Sequence, residues 1–162
     1  MTLGDLSSQH VSAILALNNE HVLETSLLDE AGVEDLLGLA FYARGIDQGK
    51  KAFLLALDQN AAYANPNFRW FKARYESFVY IDRVIVSADE RGRGLASMLY
   101  RDLFLKSIAA NQLRVVCEVN INPPNPTSQA FHIALGFEVV GEASIHDGRK
   151  TVCYLEKHLK YL

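Results

Sequence analysis

Cysteine is scarce, with Cys117 and Cys153 the only two in 162 residues. They lie far apart, each inside an apolar run, with no Cys-x-x-Cys and no metal-ligand spacing. The expectation is two reduced core thiols, no bound metal and a cytoplasmic protein. No apolar run approaches the roughly 20 residues of a membrane span, and no charged-then-apolar leader opens the chain. Neither a membrane nor a secretory route is therefore expected. Positive charge is also limited. Sixteen Lys and Arg face nineteen Asp and Glu, a net charge of −3, which argues against a protein built for non-specific nucleic-acid binding. Internal repeats, low-complexity tracts and linker-like composition are absent.

What is present is ordinary for a globular protein, with 49% hydrophobic and 22% charged residues. A chain this long buries roughly 70% of its unfolded surface without staples, and residues 1–162 read as a single domain. Met1–Leu6 fits a terminal strand or a loose arm. Ser7 or Ser8 can cap a helix carrying Val11, Ile14, Leu15 and Leu17, and Asp29 can cap another over about residues 30–40. Phe41–Ile46 and Lys51–Leu57 flank a glycine turn and predict a hairpin. Residues 61–77 are dense in aromatics. Asn65 and Pro66 predict a helix start, and Phe68, Phe71, Tyr75 and Phe78 recur as one helical stripe.

The most informative stretch follows. An apolar strand over residues 78–86 turns through a polar step into Arg91-Gly92-Arg93-Gly94-Leu95-Ala96. An amphipathic helix is expected from about Gly92 to Ala110, with Leu95, Met98, Leu99, Leu103 and Ile108 on its buried side. Glycines let a backbone approach a bulky anion, and the first helical turn offers free N–H groups and a positive dipole end. The loop lacks the three-glycine dinucleotide spacing, and no Gly-Lys-Ser/Thr follows. Arg91 and Arg93 make a local basic patch suited to a small anionic ligand. Beyond the helix come a strand at residues 113–119, a break through Asn120–Pro126, a helix over Ser128–Leu135 closed by Gly136, and a terminal hairpin. A helix between two strands makes a parallel pair the economical connection.

Alternation on the strand places Tyr80, Asp82, Val84 and Val86 on one face. Asp82 is an acid in an otherwise apolar strand, costly without a purpose or a partner. Either catalysis or a salt bridge to a nearby arginine accounts for it. Glu118, on the next strand, poses the same choice.

Two spaced motifs carry a resemblance. Arg91, Gly94 and Ala96 fill the fixed positions of an Arg/Gln-x-x-Gly-x-Gly/Ala loop. Asn125, Ser128, Phe131, His132, Gly136 and Phe137 fill an Asn, small residue, apolar-Tyr, Gly-Phe pattern downstream. Together they resemble the GNAT superfamily of N-acetyltransferases, over most of the chain and most weakly over residues 1–40 and the aromatic segment. The resemblance implies an α/β (α+β) fold: a mixed, mostly antiparallel sheet splayed at a central parallel strand pair, with helices on both faces. It implies acetyl-CoA as co-substrate, with direct transfer of the acetyl group to a primary amine in a ternary complex. Residues 91–96 would then bind the pyrophosphate, with Asn125 and Ser128 also at the cofactor. Backbone groups near Val84 and Val86 would hold the pantetheine arm and polarise the thioester.

In the same frame, Asp82 is the first candidate base and Glu118 the second. His132 stands where the family usually has a tyrosine assigned as the acid, and a packed histidine is the competing reading. Tyr63, Arg69, Trp70 and Tyr80 become candidate acceptor contacts. The expected partner is a small-molecule amine, with a peptide amine as the alternative. A sensor that binds acyl-CoA without turnover is a further alternative, and a homodimer stays open.

Overall fold

The computed structural model describes residues 1–21 and 25–159. Its frame is one seven-stranded sheet in the order β1-β2-β3-β4-β5-β7-β6. The strands are β1 (Leu3–Asp5), β2 (Tyr42–Ile46), β3 (Ala52–Asp58), β4 (Val79–Val86), β5 (Arg114–Asn122), β6 (Glu138–Ile145) and β7 (Lys150–His158). Every neighbouring pair is antiparallel except β4 and β5. The parallel pair is joined through α4 (Leu95–Ala109), as the crossover argument expects.

Local chemistry explains most boundaries. After a 3-10 turn at Ser8–His10, α1 spans Val11–Asn19. The helix α2 spans Glu30–Leu39, and the Asp29 carboxylate accepts from the Gly32 N–H at 2.7 Å. The helix α3 is shorter than the aromatic stripe suggested. It spans Pro66–Lys72 and stops before Tyr75 and Phe78, yet Phe68, Phe71 and Phe78 still share one buried cluster. The helix α5 covers Pro126–Ala134.

Helices cover both faces. On one, α4 presents Leu95, Leu99, Tyr100, Leu103 and Phe104 to Val79, Ile81, Val115, Cys117 and Cys153 of the sheet. Met98, expected on that buried side, is exposed. Both cysteines are buried free thiols. On the other face, α1 and α2 pack over Phe53, Leu55 and Ile85, and α3 packs over Leu57, Tyr80, Val116 and Tyr154. Among the described residues, no helix is long and apolar enough to cross a membrane.

Candidate active site

Strands β4 and β5 pair at only two positions, Val79 with Val115 and Tyr80 with Val116. Beyond them β4 stays on β3 as far as Val86, and β5 stays on β7 as far as Asn122. Their facing edges part into a wedge that offers backbone N–H and C=O groups to an extended ligand, as any open strand edge does. Val84 and Val86 lie along the β4 side of this wedge.

The glycine loop follows the end of β4 and leads into α4. Gly92 and Gly94 have φ of +80° and +76°, and a Cβ built on either meets nothing within 4 Å. The conformation therefore calls for glycine, and the space around the loop is open to a ligand. The helix α4 starts at Leu95, three residues later than expected, with Gly94 as its N-cap. A glycine cap has no side chain to accept from the first-turn N–H groups. The loop and helix start thus fit a pyrophosphate. Arg93 lies 3.2 Å from the Glu90 carboxylate. Asn125 caps α5, its side-chain oxygen accepting from the Ser128 N–H at 3.3 Å.

The strand β4 does not alternate as expected. Leu55 pairs with Arg83 but Ala56 pairs with Ile81, so Asp82 is the extra residue of a β-bulge. Tyr80 joins the aromatic cluster under α3, whereas Val84 and Val86 pack toward α4. Asp82 sits on the Tyr80 side, against its neighbour Arg83. The bulge corrects the alternation argument that put all four residues on one face.

The Asp82 carboxylate, 2% exposed, accepts from Arg83 Nε at 2.7 Å and from the Tyr63 hydroxyl at 2.6 Å. Arg83, 6% exposed, also donates to the Asn18 side chain at 2.9 Å and to Ser26. This buried ion pair fastens the end of α1 and the segment after it to the bulge. Removing one member of such a pair is costly.

Glu118 has a different environment. Tyr80 donates to its two oxygens at 2.8 and 3.0 Å, and Asn67 Nδ2 donates to Oε1 at 2.9 Å. Burial, with Asp82's charge adding to it, pushes the carboxyl up to about 7, although the Tyr80 and Asn67 hydrogen bonds pull the other way. No cation forms an ion pair with it among the described residues. Burial and Glu118's charge hold the Tyr80 hydroxyl well above the usual tyrosine range, so it remains a donor.

His132 is 4% exposed with both ring nitrogens engaged. Nδ1 lies 2.7 Å from the Ser128 carbonyl, which can only accept, so Nδ1 carries the hydrogen. Nε2 then accepts from the Tyr100 hydroxyl at 2.7 Å. Burial holds the ring below the usual histidine value. This is a neutral imidazole whose one N–H is committed to a helix carbonyl.

The remaining candidates are spread out. Tyr80 is fully buried, and Tyr63 is half-buried against Phe68. Trp70 stacks on Tyr154 at 4.2 Å beneath Arg74, and Gly141 leaves room for its ring, since a Cβ there would come within 2.5 Å of it. Arg69 is exposed. A groove of about 790 Å³ opens between α2 and residues 62–66, lined by Leu28, Leu36, Tyr63 and Pro66 with Arg83 behind. Sequence reasoning missed Asn67, Tyr100 and Tyr154. Their spacing carries no motif, and each is informative only through a partner far away in the chain.

Comparison with known proteins agrees with this geometry. The Acetyltransferase (GNAT) family profile matches residues 18–137. No curated protein sequence matches the chain. Among solved structures, the ribosomal-protein-S18-alanine N-acetyltransferase from Escherichia coli is 14% identical with a TM-score of 0.71, over 99% of this chain and 95% of that one. The yncA protein from Salmonella typhimurium, solved with its cofactor acetyl-CoA, is 19% identical with a TM-score of 0.70, again over 99% and 95%. An aminoglycoside 6'-N-acetyltransferase complexed with coenzyme A is 13% identical with a TM-score of 0.69, over 100% and 99%. Identities this low establish the fold, and the profile match over most of the chain establishes the family: this protein belongs to the GNAT family of acetyl-CoA-dependent N-acetyltransferases.

Proposed function

We propose that the protein acetylates a primary amine of a small molecule by direct attack in a ternary complex, with Glu118 as general base. The observation that carries this reading is Glu118 itself, a carboxyl pushed up to about 7 where the β4–β5 wedge opens. An alkyl amine with a pKa near 10.4 is almost wholly protonated at neutral pH and must shed a proton to attack. A base titrating near 7 is suited to take it. Asp82 is less suited, because Arg83 and Tyr63 already occupy its oxygens.

Acetyl-CoA supplies the activated acetyl group as a thioester. The first-turn N–H groups of α4 and the loop Arg91–Ala96 bind its pyrophosphate, Asn125 and Ser128 border the same end, and the β4 edge at Val84 and Val86 aligns its arm. As the new C–N bond forms and the C–S bond breaks, Glu118 holds the proton the amine gave up. A thiolate with a pKa near 8.5 needs no strong acid, so a neutral His132 is compatible with turnover. The groove beside Tyr63 suits an acceptor with an apolar portion, which favours a small amine over a peptide.

Thermal shifts with acetyl-CoA, CoA and ATP test the donor site. Stabilisation by both CoA species and not by ATP is expected, and none with acetyl-CoA would sink the reading. Thiol release across small amines and peptides then tests turnover, and no release with any of them would leave only a binding protein. Glu118→Gln is expected to lower kcat/KM at neutral pH by about 10²–10⁴-fold. Undiminished turnover would remove Glu118 from the mechanism.

A further inference from the structure

We infer that Asn67, delivered by the aromatic segment between β3 and β4, is the positioning residue that orients Glu118 for proton transfer. The inference rests on Glu118 being the base. Asn67 is 6% exposed, and both ends of its amide are used. Nδ2 donates to Glu118 Oε1 at 2.9 Å, and Oδ1 accepts from the Tyr154 hydroxyl at 2.8 Å. The carboxylate decides which way the amide points, because a flipped amide would set its carbonyl oxygen against an acceptor, and the Tyr154 hydroxyl then donates to the Oδ1 that remains.

The two carboxylate oxygens are left unequal. Oε1 receives Asn67 and the shorter contact from Tyr80, while Oε2 receives only the longer contact from Tyr80. Oε2 is therefore the oxygen available to an incoming amine. The residues around Asn67 serve this placement. Asn65 caps α3 by accepting from the Asn67 and Phe68 N–H groups at 2.8 and 3.1 Å. Phe68 and Phe71 are buried, and Trp70 stacks on the same Tyr154 that holds the amide. The aromatic segment, expected to wall an acceptor pocket, thus reaches the proton step as well.

The side chains that act on Glu118 are Tyr80 and Asp82 from β4 and Asn67 from α3, while its own charge raises Tyr154 on β7, Cys117 beside it on β5 and Tyr100 on α4. Of these, Asn67 is an uncharged donor that favours the carboxylate. Its removal raises the Glu118 pKa, whereas loss of mere packing does not.

A carbon-detected NMR titration of the glutamate carboxyls reads this directly and needs no acceptor. The Glu118 signal is identified by its loss in Glu118→Gln. Asn67→Ala is expected to move its midpoint up by about 0.5–1 pH unit. Tyr154→Phe, which keeps the ring under Trp70, should give a smaller shift in the same direction. It decides the matter alone should Asn67→Ala fail to fold. An unmoved midpoint in a folded variant overturns the assignment of Asn67. A wild-type midpoint near 4.5 instead of 7 would defeat the choice of base, and is a separate result.

Discussion

The glycine loop and the Glu118 site are built by opposite means. The loop, Arg91–Ala96, is contiguous, exposed and backbone-driven, with left-handed φ at Gly92 and Gly94 and the free N–H groups of one helix end. The Glu118 site is made of side chains from β4, β5, α3 and β7, with a half-buried Glu118 held by the buried Asn67, Tyr80 and Tyr154. In the proposed site the loop meets an anion with the fixed dipoles of a helix start. The carboxyl site raises a pKa by withholding water and supplying no ion-pair partner. The first arrangement should cost the fold little, and the second should cost it stability at working pH.

That difference can be broken most visibly at Glu118. Its folded-state carboxyl binds a proton more tightly than the ordinary value of 4.5. The folded state thus holds more protons than the unfolded state between about 4.5 and 7, and its stability falls as pH rises through that window. At 1.4 kcal/mol per pH unit, the charged carboxylate costs about 3 kcal/mol above pH 7. Glu118→Gln is expected to be more stable than wild type by up to that amount at pH 8, with the gap closing toward pH 4.5. Denaturant melts at the two pH values measure it. A variant that loses turnover while gaining stability is the mark of a strained catalytic group. A gap over wild type no larger at pH 8 than at pH 4.5 would make the site an ordinary buried hydrogen-bond cluster.

At the loop the expectation is reversed, with function lost and stability nearly kept. Gly94→Val forces a β-branched residue to φ of +76°, where it meets no neighbour but strains its own backbone by about 1–2 kcal/mol. It also puts methyl groups into the proposed pyrophosphate site. CoA affinity, read by calorimetry, should fall by about 100-fold, with only a small drop in melting temperature. Retained affinity would move the anion site elsewhere.

The same contrast explains what the sequence revealed. The loop is local, so its spacing shows it, and the second motif from Asn125 to Phe137 adds a check at a distance. Element order is legible for the same reason, since caps such as Asp29 and Asn65 act within one helical turn. The β4 bulge is not local. It arises where β3 and β4 must accommodate one extra residue, and alternation along β4 alone cannot reveal it. Asp82 ranks above Glu118 on sequence as an acid in an otherwise apolar strand, and the bulge is what sets it against Arg83 in the salt bridge that was its competing reading. Asn67 and Tyr154, 87 positions apart, have meaning only once the sheet is assembled.

The smallest test concerns another buried polar pair, Tyr100 on α4 and His132 on α5. Tyr100→Phe keeps the ring and removes the hydroxyl that donates to Nε2, leaving that nitrogen buried without a partner. The expected loss is about 1–2 kcal/mol at neutral pH. His132 also gives the fold a pH dependence of opposite sign to that of Glu118. Its pKa is depressed in the folded protein, so the stability it contributes is present above about 6.5 and is lost as pH falls through the folded value. With no N–H free to give, His132 should matter little to transfer, and turnover of Tyr100→Phe should stay within about threefold of wild type. A loss of hundredfold in a folded Tyr100→Phe would mean that the pair hands on a proton, and would bring an acid role for His132 back into play.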